Sequence, residues 1–397
     1  MSEHPILGLV VLGYSPMIDR QRNVSATRLT VFPAKPDLQI NAGSLLEAIG
    51  QVWPVTGGQV SLNIVSETLL RDLMLARPEH NLMVEVPAFM AADPANTAAL
   101  LALHAHGSTL LLKGRPTKPL PREVLPCFRH SIIDVEEDRR GDAPPVPGAS
   151  RTIPYIQSGV RSLAQMEQSF ERGALSVLGW PVEDAIETAT RQKAAQPDMQ
   201  TIVELIRRVD QQEPADRLEA TLRHDPTLAF KLMRYINSPA FGLSVEISSF
   251  RHALMLLGYQ RLKRWLALLL ASASKDTNMK PVMYAAVRRG LFLEELGRSS
   301  GDEEMRNEMF ICGVFSLLDR MMRQPFSELL KTIPVPERVY EALVDNKGPY
   351  QPYFDIVHAV ENESLFDIRS AAEAAMLSVP EVNRAELRAL AAAAQLD

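Results

Sequence analysis

Ser61-Leu62-Asn63-Ile64-Val65, then the helix-like Ser66–Ala76, then Leu82-Met83-Val84-Glu85-Val86, is the stretch on which the fold turns. Two apolar runs of strand length flank a segment of helical character, and strand–helix–strand order requires a crossover and parallel pairing. The alternation extends both ways. Ile6–Leu12, Thr109–Leu112, Ser131–Val135, Ile153–Ile156 and Ser176–Trp180 read as further buried strands. Ser44–Val52, Asn96–His106, Pro121–Phe128 and Leu163–Glu171 read as helices between them. Such a series implies an α/β layer or barrel with right-handed crossovers. Glu136–Arg151, with its charge run and Pro144-Pro145-Val146-Pro147-Gly148, reads as an exposed loop.

Past Pro181 the strand signals fade. Ala185–Ala195 reads as a polar linker helix. Asp225 as cap and Pro226 at the first helical position open a helix in which Leu228, Leu232, Met233 and Ile236 share a face. Asn237-Ser238-Pro239 stops it. Phe250, Leu254 and Leu257 line the next helix until Gly258 breaks it, and Tyr259–Ala273 starts again. Asp302–Met322 repeats the pattern with Met305, Met309, Cys312, Phe315 and Met322. The C-terminal half is expected to be all-α.

A length of 397 residues suits two domains or one large barrel, and 46% hydrophobic with 23% charged residues excludes a disordered chain. Against 48 acidic residues stand 42 basic ones, a net charge of -6, which disfavours wholesale nucleic-acid binding through a basic surface. No apolar run reaches the ~18–20 residues of a membrane span. The start, Met1-Ser2-Glu3-His4-Pro5, lacks the features of a signal peptide. Cys127 and Cys312 are far apart and form no CxxC, so a disulfide framework or cysteine zinc site does not fit. The expectation is a reduced, cytoplasmic protein without a membrane anchor.

Few residues announce chemistry. His104-Ala105-His106 falls at a helix end, where i and i+2 do not share a face, so histidines favoured by a helix C-terminus fit better than metal ligands. His224-Asp225 is the dipeptide of HD phosphohydrolases, but Asp225 is explained as a cap and His252 precedes Ala253, so no second His–Asp set joins it. There is no G-x-S-x-G elbow, Gly57-Gly58 is too short for a phosphate loop, and Tyr14-Ser15-Pro16 has no identifiable base. Arg261, Lys263 and Arg264 beside Tyr259 and Trp265 suit either a phosphate backbone or a solvated helix face, the latter being commoner. The sixteen methionines suit core gaps better than a partner groove.

Tyr14-Ser15-Pro16-Met17-Ile18-Asp19 and Val24–Val31 resemble the opening of an EAL domain, the barrel that hydrolyses cyclic di-GMP. Asp225-Pro226, Arg234–Gly242 and Ile247–Gly258 resemble an HDOD domain, and Phe310–Asp319 resembles fused EAL–HDOD signalling proteins. The resemblance implies an N-terminal degenerate EAL-type (β/α) barrel at 1–183, a linker helix at 184–195 and an HDOD helical bundle at 196–397.

The same resemblance places the EAL metal ligands. The signature Glu-Ala-Leu corresponds to Thr27-Arg28-Leu29, so its carboxylate is gone, while Asn63 and Glu85 keep metal-ligand identities. A loop-supporting Glu corresponds to Ala88, the paired aspartates to Lys113-Gly114, the catalytic Lys to Ile132 beside a retained Asp134, and a further Glu to Ser158. The terminal Gln-Gly turn keeps Gly179. Two survivors cannot hold two hard cations, which want six or more oxygen ligands each. Asn63 and Glu85 then read as hydrogen-bonding residues at strand ends. HDOD domains resemble the HD fold without its metal ligands. The expectation is therefore a bacterial signalling scaffold that is not an enzyme, takes no cofactor or metal, and meets a protein partner of unnamed identity. The alternatives are a cyclic di-GMP receptor, with Arg28, Lys113 and Arg115 as phosphate contacts, and a metal phosphohydrolase using His224-Asp225.

Overall fold

The computed structural model describes residues 4–36, 38–53, 58–76, 78–138, 153–184, 197–223, 250–274 and 276–393. The expected linker helix at Ala185–Ala195, most of the Glu136–Arg151 loop, His224-Asp225 and the helix that Asp225-Pro226 opens lie outside them, as do Gly57 and the Arg234–Gly242 and Ile247–Ser249 motifs. The chain divides into two compact units, Met1–Asp184 with His358–Arg384, and Ala185–Val357 with Ala385–Asp397.

In the first unit eight strands close a barrel in chain order: β1 (Val10–Asp19), β2 (Val24–Pro33), β3 (Gln59–Ile64), β4 (Leu82–Pro87), β5 (Thr109–Lys113), β6 (Phe128–Asp134), β7 (Tyr155–Ser158) and β8 (Ser176–Leu178). Helices α1 (Ala42–Val52), α2 (Glu67–Leu75), α3 (Ala88–Ala91), α4 (Thr97–Ala105) and α5 (Leu163–Glu171) fall between strands. Side-chain caps start three of them: Asn41, Ser66 and Ser162 accept from the amides of Ser44, Leu69 and Gln165.

Three expectations are corrected. Pairing is parallel from β2 to β8, but β1 runs antiparallel to both β2 and β8. Only residues 20–23 separate β1 from β2, too few for a crossover, and Arg22 at φ 67° turns the chain back. The strand sought at Ile6–Leu12 begins at Val10, after a 3-10 turn over Pro5–Gly8. Pro121–Phe128 is not a helix: Pro126 offers no N–H to continue one, so the segment holds a 3-10 turn, Leu125–Cys127, and β6 starts at Phe128.

In the second unit the described elements are helical, as the loss of strand signals implied. Helix Phe250–Ala271 leaves helical geometry at Gly258, where the sequence placed a break. The pattern at Asp302–Met322 is two helices, Glu303–Phe315 and Leu318–Met322, the first capped by Asp302. Fully buried Arg288 pairs with buried Glu386. Among the described residues no helix is long and apolar enough to cross a membrane.

Helices Lys280–Leu296 and Glu303–Phe315 meet backbone to backbone. A Cβ built on Gly313 would lie 2.6 Å from the Gly290 Cα and the Arg289 carbonyl. Gly→Ala inside a helix ordinarily stabilises by roughly 1 kcal/mol. Gly313→Ala is instead expected to destabilise by about 1–3 kcal/mol, as overpacking does. Urea unfolding followed by the helical signal checks this, and a gain in stability would contradict the contact.

Candidate functional site

Strand side chains alternate between two faces, so every second residue points into the barrel. Met17, Ala26, Met83, Leu111, Ile132, Ile156 and Leu178 form an apolar cluster. Two residues further toward the strand ends stand Ser15, Arg28, Glu85, Lys113, Asp134 and Ser158, so the same faces change from apolar to polar. The pairing of β2 with β3 sets Arg28 beside Ser61 and Thr30 beside Asn63. Above this layer opens a cavity of 1240 Å³ whose walls include Arg28, Thr30, Asn63, Lys113, Arg115, Asp134, Ser158 and Phe89.

The sequence candidates converge there. Arg28 grips Glu85 with two hydrogen bonds, Nε to Oε1 at 2.9 Å and Nη2 to Oε2 at 2.7 Å. Ser61 Oγ donates to the same Oε1 at 2.8 Å. The Glu85 side chain is 0% exposed and that of Arg28 9%, so the pair is desolvated. Burial works against the guanidinium charge, but the carboxylates of Glu85 and Glu363 outweigh it and the Arg28 pKa lies above its ordinary value. Lys113 Nζ donates to Asn63 Oδ1 at 2.8 Å, a neutral partner. Burial, and then the charge of Arg28, hold the Lys113 pKa below that of an ordinary lysine. Arg115 is half-exposed and lies 3.6 Å from Asp138.

One member comes from far along the chain. Glu363 lies between helices Gln351–Glu361 and Leu365–Ala374, at φ 52°, a left-handed conformation unusual for a long side chain. Its Oε1 accepts from Thr30 Oγ1 at 2.9 Å and Ser15 Oγ at 3.1 Å, and its Oε2 from Arg28 Nη1 at 3.3 Å. Gly13 admits it: a Cβ there would stand 3.1 Å from the Glu363 Cα. Buried Asn383 fixes the same segment, donating to the carbonyls of Leu7 and Val10 at 2.8 Å and accepting from the Leu12 amide at 3.1 Å. Sequence reading missed Glu363, Thr30 and Ser61, and set Ser15 aside for want of a base. The available signal was Gly13 inside a strand, which marks close approach of another chain segment.

The other candidates do not join this site. His106 stacks on His80 with ring centroids 5.6 Å apart. Lys263 pairs with Asp210, Arg264 makes a fork with Glu294 and Arg261 lies 3.9 Å from Glu303, so that basic cluster is matched by acids. Among the described residues no group of three or more His, Cys, Asp or Glu is placed to hold a metal. Nor do the barrel residues fit the pair of divalent cations that the EAL resemblance implies, because Glu85 is engaged by Arg28 and Asn63 by Lys113.

The HDOD domain family matches residues 196–324. This chain carries an HDOD domain. With the closed barrel ahead of it, the resemblance to fused EAL–HDOD signalling proteins stands. The chain is 25% identical over 309 residues to a Vibrio cholerae protein named "Cyclic di-GMP phosphodiesterase CdgJ", covering 76% of this chain and 70% of that one. A Bacillus subtilis protein, YuxH, is 26% identical over 168 residues, 41% of this chain and 40% of that one. Among solved structures, the PaMucR phosphodiesterase in complex with c-di-GMP is 18% identical at a TM-score of 0.33, covering 44% of this chain and 96% of its own. A standalone EAL protein from Vibrio cholerae O395, in its c-di-GMP-bound form, is 15% identical at a TM-score of 0.32, covering 43% and 90%. Through the Vibrio relative the chain is related to a protein named as a cyclic di-GMP phosphodiesterase.

That relative corrects the expectation that the chain is not an enzyme. The expectation rested on absent ligands at aligned positions. Losing those ligands removes one way of building a metal site, which is a narrower statement than the loss of catalysis.

Removing Arg28 would leave Glu85 buried with no counter-charge. Arg28→Ala is expected to destabilise the barrel by about 3–5 kcal/mol, and Arg28→Met with Glu85→Leu to recover most of that. Denaturant unfolding read by tryptophan fluorescence checks both. A cost for the single variant near the ~1 kcal/mol of an exposed pair would contradict the desolvated bond.

Proposed function

We propose that this protein acts in cyclic di-GMP signalling by binding the dinucleotide at the mouth of the barrel, and that the HDOD half passes the bound state to a protein partner as a regulatory scaffold. In this reading the barrel domain takes residues 1–183 and the HDOD domain 196–397, joined by 184–195, with residues 358–384 returning to the barrel unit. The ligand is suggested by the phosphodiesterase name of the Vibrio relative.

The observation that carries the reading is Lys113 at the cavity wall, a partly buried ammonium that among the described residues is bonded only to an amide, where the resemblance implies bridging carboxylates. A phosphodiester oxygen would replace that neutral acceptor with a charged one, and charge-assisted hydrogen bonds are roughly twice as strong. Arg115 adds a second cation on the same wall. Phe89, 58% exposed on the cavity wall, offers an aromatic face to a base.

Calorimetric titration of cyclic di-GMP, with Mg²⁺ and again with chelator, tests this. Saturable binding in both conditions is expected, because Lys113 rather than a bound cation meets the phosphate. Lys113→Ala should weaken it by about tenfold or more, the loss of a hydrogen bond to a charged group. Arg115→Ala should cost less, since that side chain is solvated. Binding should also fall as pH rises toward 10.5, beginning below that value because Lys113 loses its proton earlier than an ordinary lysine. Equal binding by Lys113→Ala, or no heat in either condition, would overturn the reading. The linear dinucleotide is assayed in the same samples, since the Vibrio relative bears a phosphodiesterase name.

A further inference from the structure

Ser15 Oγ, Thr30 Oγ1 and Arg28 Nη1 all donate to one carboxylate, that of Glu363. Three donors converging on one oxyanion make an anion site, and here the chain itself supplies the anion. The donors are built in: Ser15, Thr30 and Arg28 are 5%, 2% and 7% exposed, and Arg28 is fixed from behind by Glu85. Glu363 is the loosest member. Its side chain is 19% exposed, its contact with Arg28 is 3.3 Å against 2.7 Å for Glu85, and its backbone stands in the left-handed region.

We infer that Ser15, Thr30 and Arg28 form a subsite for a phosphate oxygen of the ligand, and that Glu363 occupies it as a built-in competitor that must withdraw when the phosphate enters. The inference rests on the reading of the barrel mouth as a phosphodiester site and adds to it a second anion position and its control. Lys113 lies on the same hydrogen-bond chain, through Asn63 and Thr30, so the two anion positions share one donor system. A carboxylate and a phosphate oxygen cannot both sit within hydrogen-bond distance of the same three donors, so the two exclude one another.

The test is calorimetric titration of the full chain and two variants with cyclic di-GMP and, separately, with pyrophosphate. Glu363→Gln keeps the size of the side chain and removes its charge. Gly13→Ala leaves the charge and presses on Glu363, which must give by a few tenths of an ångström and so loosens its hold on the three donors. Near-UV circular dichroism and thermal melting show that each variant is folded. Both variants are expected to bind the anions about tenfold tighter than the wild type, as a competing charge-assisted contact is removed. If cyclic di-GMP binds the wild type and both folded variants alike, the subsite is overturned while the proposed function stands. If cyclic di-GMP binds none of them but pyrophosphate binds the variants more tightly, the subsite stands and the dinucleotide reading falls. Weaker binding of both probes by the variants would make Glu363 a supporting residue and overturn its role as competitor.

Discussion

A carboxylate closed off from water inside a barrel must have a cation beside it, and that constraint organises this site. Glu85 has no exposed side-chain surface, and Arg28 supplies the charge from β2, across the β3 strand whose Ser61 fills the remaining position on Oε1. An isolated buried carboxylate would cost several kcal/mol or take up a proton. Once Nε and Nη2 are committed to Glu85, one face of the guanidinium is left over. Nη1 faces the cavity, and it is there that Glu363 binds.

The same guanidinium shapes its other neighbour. Lys113 feels both burial and the Arg28 charge, each of which opposes its own protonation, and its hydrogen bond runs to an amide. The barrel mouth therefore holds one cation that is satisfied twice over and another whose charge is only weakly supported. An incoming anion gains more from the second than from the first. A divalent cation gains from neither, since both would repel it.

How much of this could be read from the sequence depends on distance along the chain. Strand period and helix spacing located β3 to β8, six of the eight barrel strands, to within a few residues, because each carries its own apolar signature, and caught only Val10–Leu12 of β1. β2 escaped because Ser25, Thr27, Arg28 and Thr30 interrupt its apolar run, and of these Arg28 and Thr30 serve the site. The hairpin at 20–23 escaped because alternation predicts parallel pairing and is silent where no helix intervenes. Arg28, Asn63, Glu85 and Lys113 were visible as candidates through the resemblance to EAL domains, and the period of two explains why they meet. Glu363 was not: it is 335 positions from Arg28, in a turn between helices, and no local pattern connects them. Inferring inactivity from missing ligands failed for a related reason. A list of aligned positions describes one arrangement of a site, and residues arriving from elsewhere in the chain are absent from the list.

The direction of the hydrogen bonds carries the last step. Lys113 donates to Asn63, Asn63 donates to Thr30, and Thr30 donates to Glu363, while Arg28 donates to both carboxylates. Ammonium and guanidinium groups have no acceptor role, so the chain cannot be reversed. It must end on an acceptor, and the end lies in the seat that Glu363 fills. With that carboxylate removed, a hydroxyl from Ser15, a hydroxyl from Thr30 and a charged N–H from Arg28 would all face the vacated seat. Leaving buried donors unpaired costs about 1–3 kcal/mol each, more for a charged one. Water answers that demand in part, and an oxyanion answers it in full. The barrel is thereby committed to an anion at this position whether the chain or a ligand provides it.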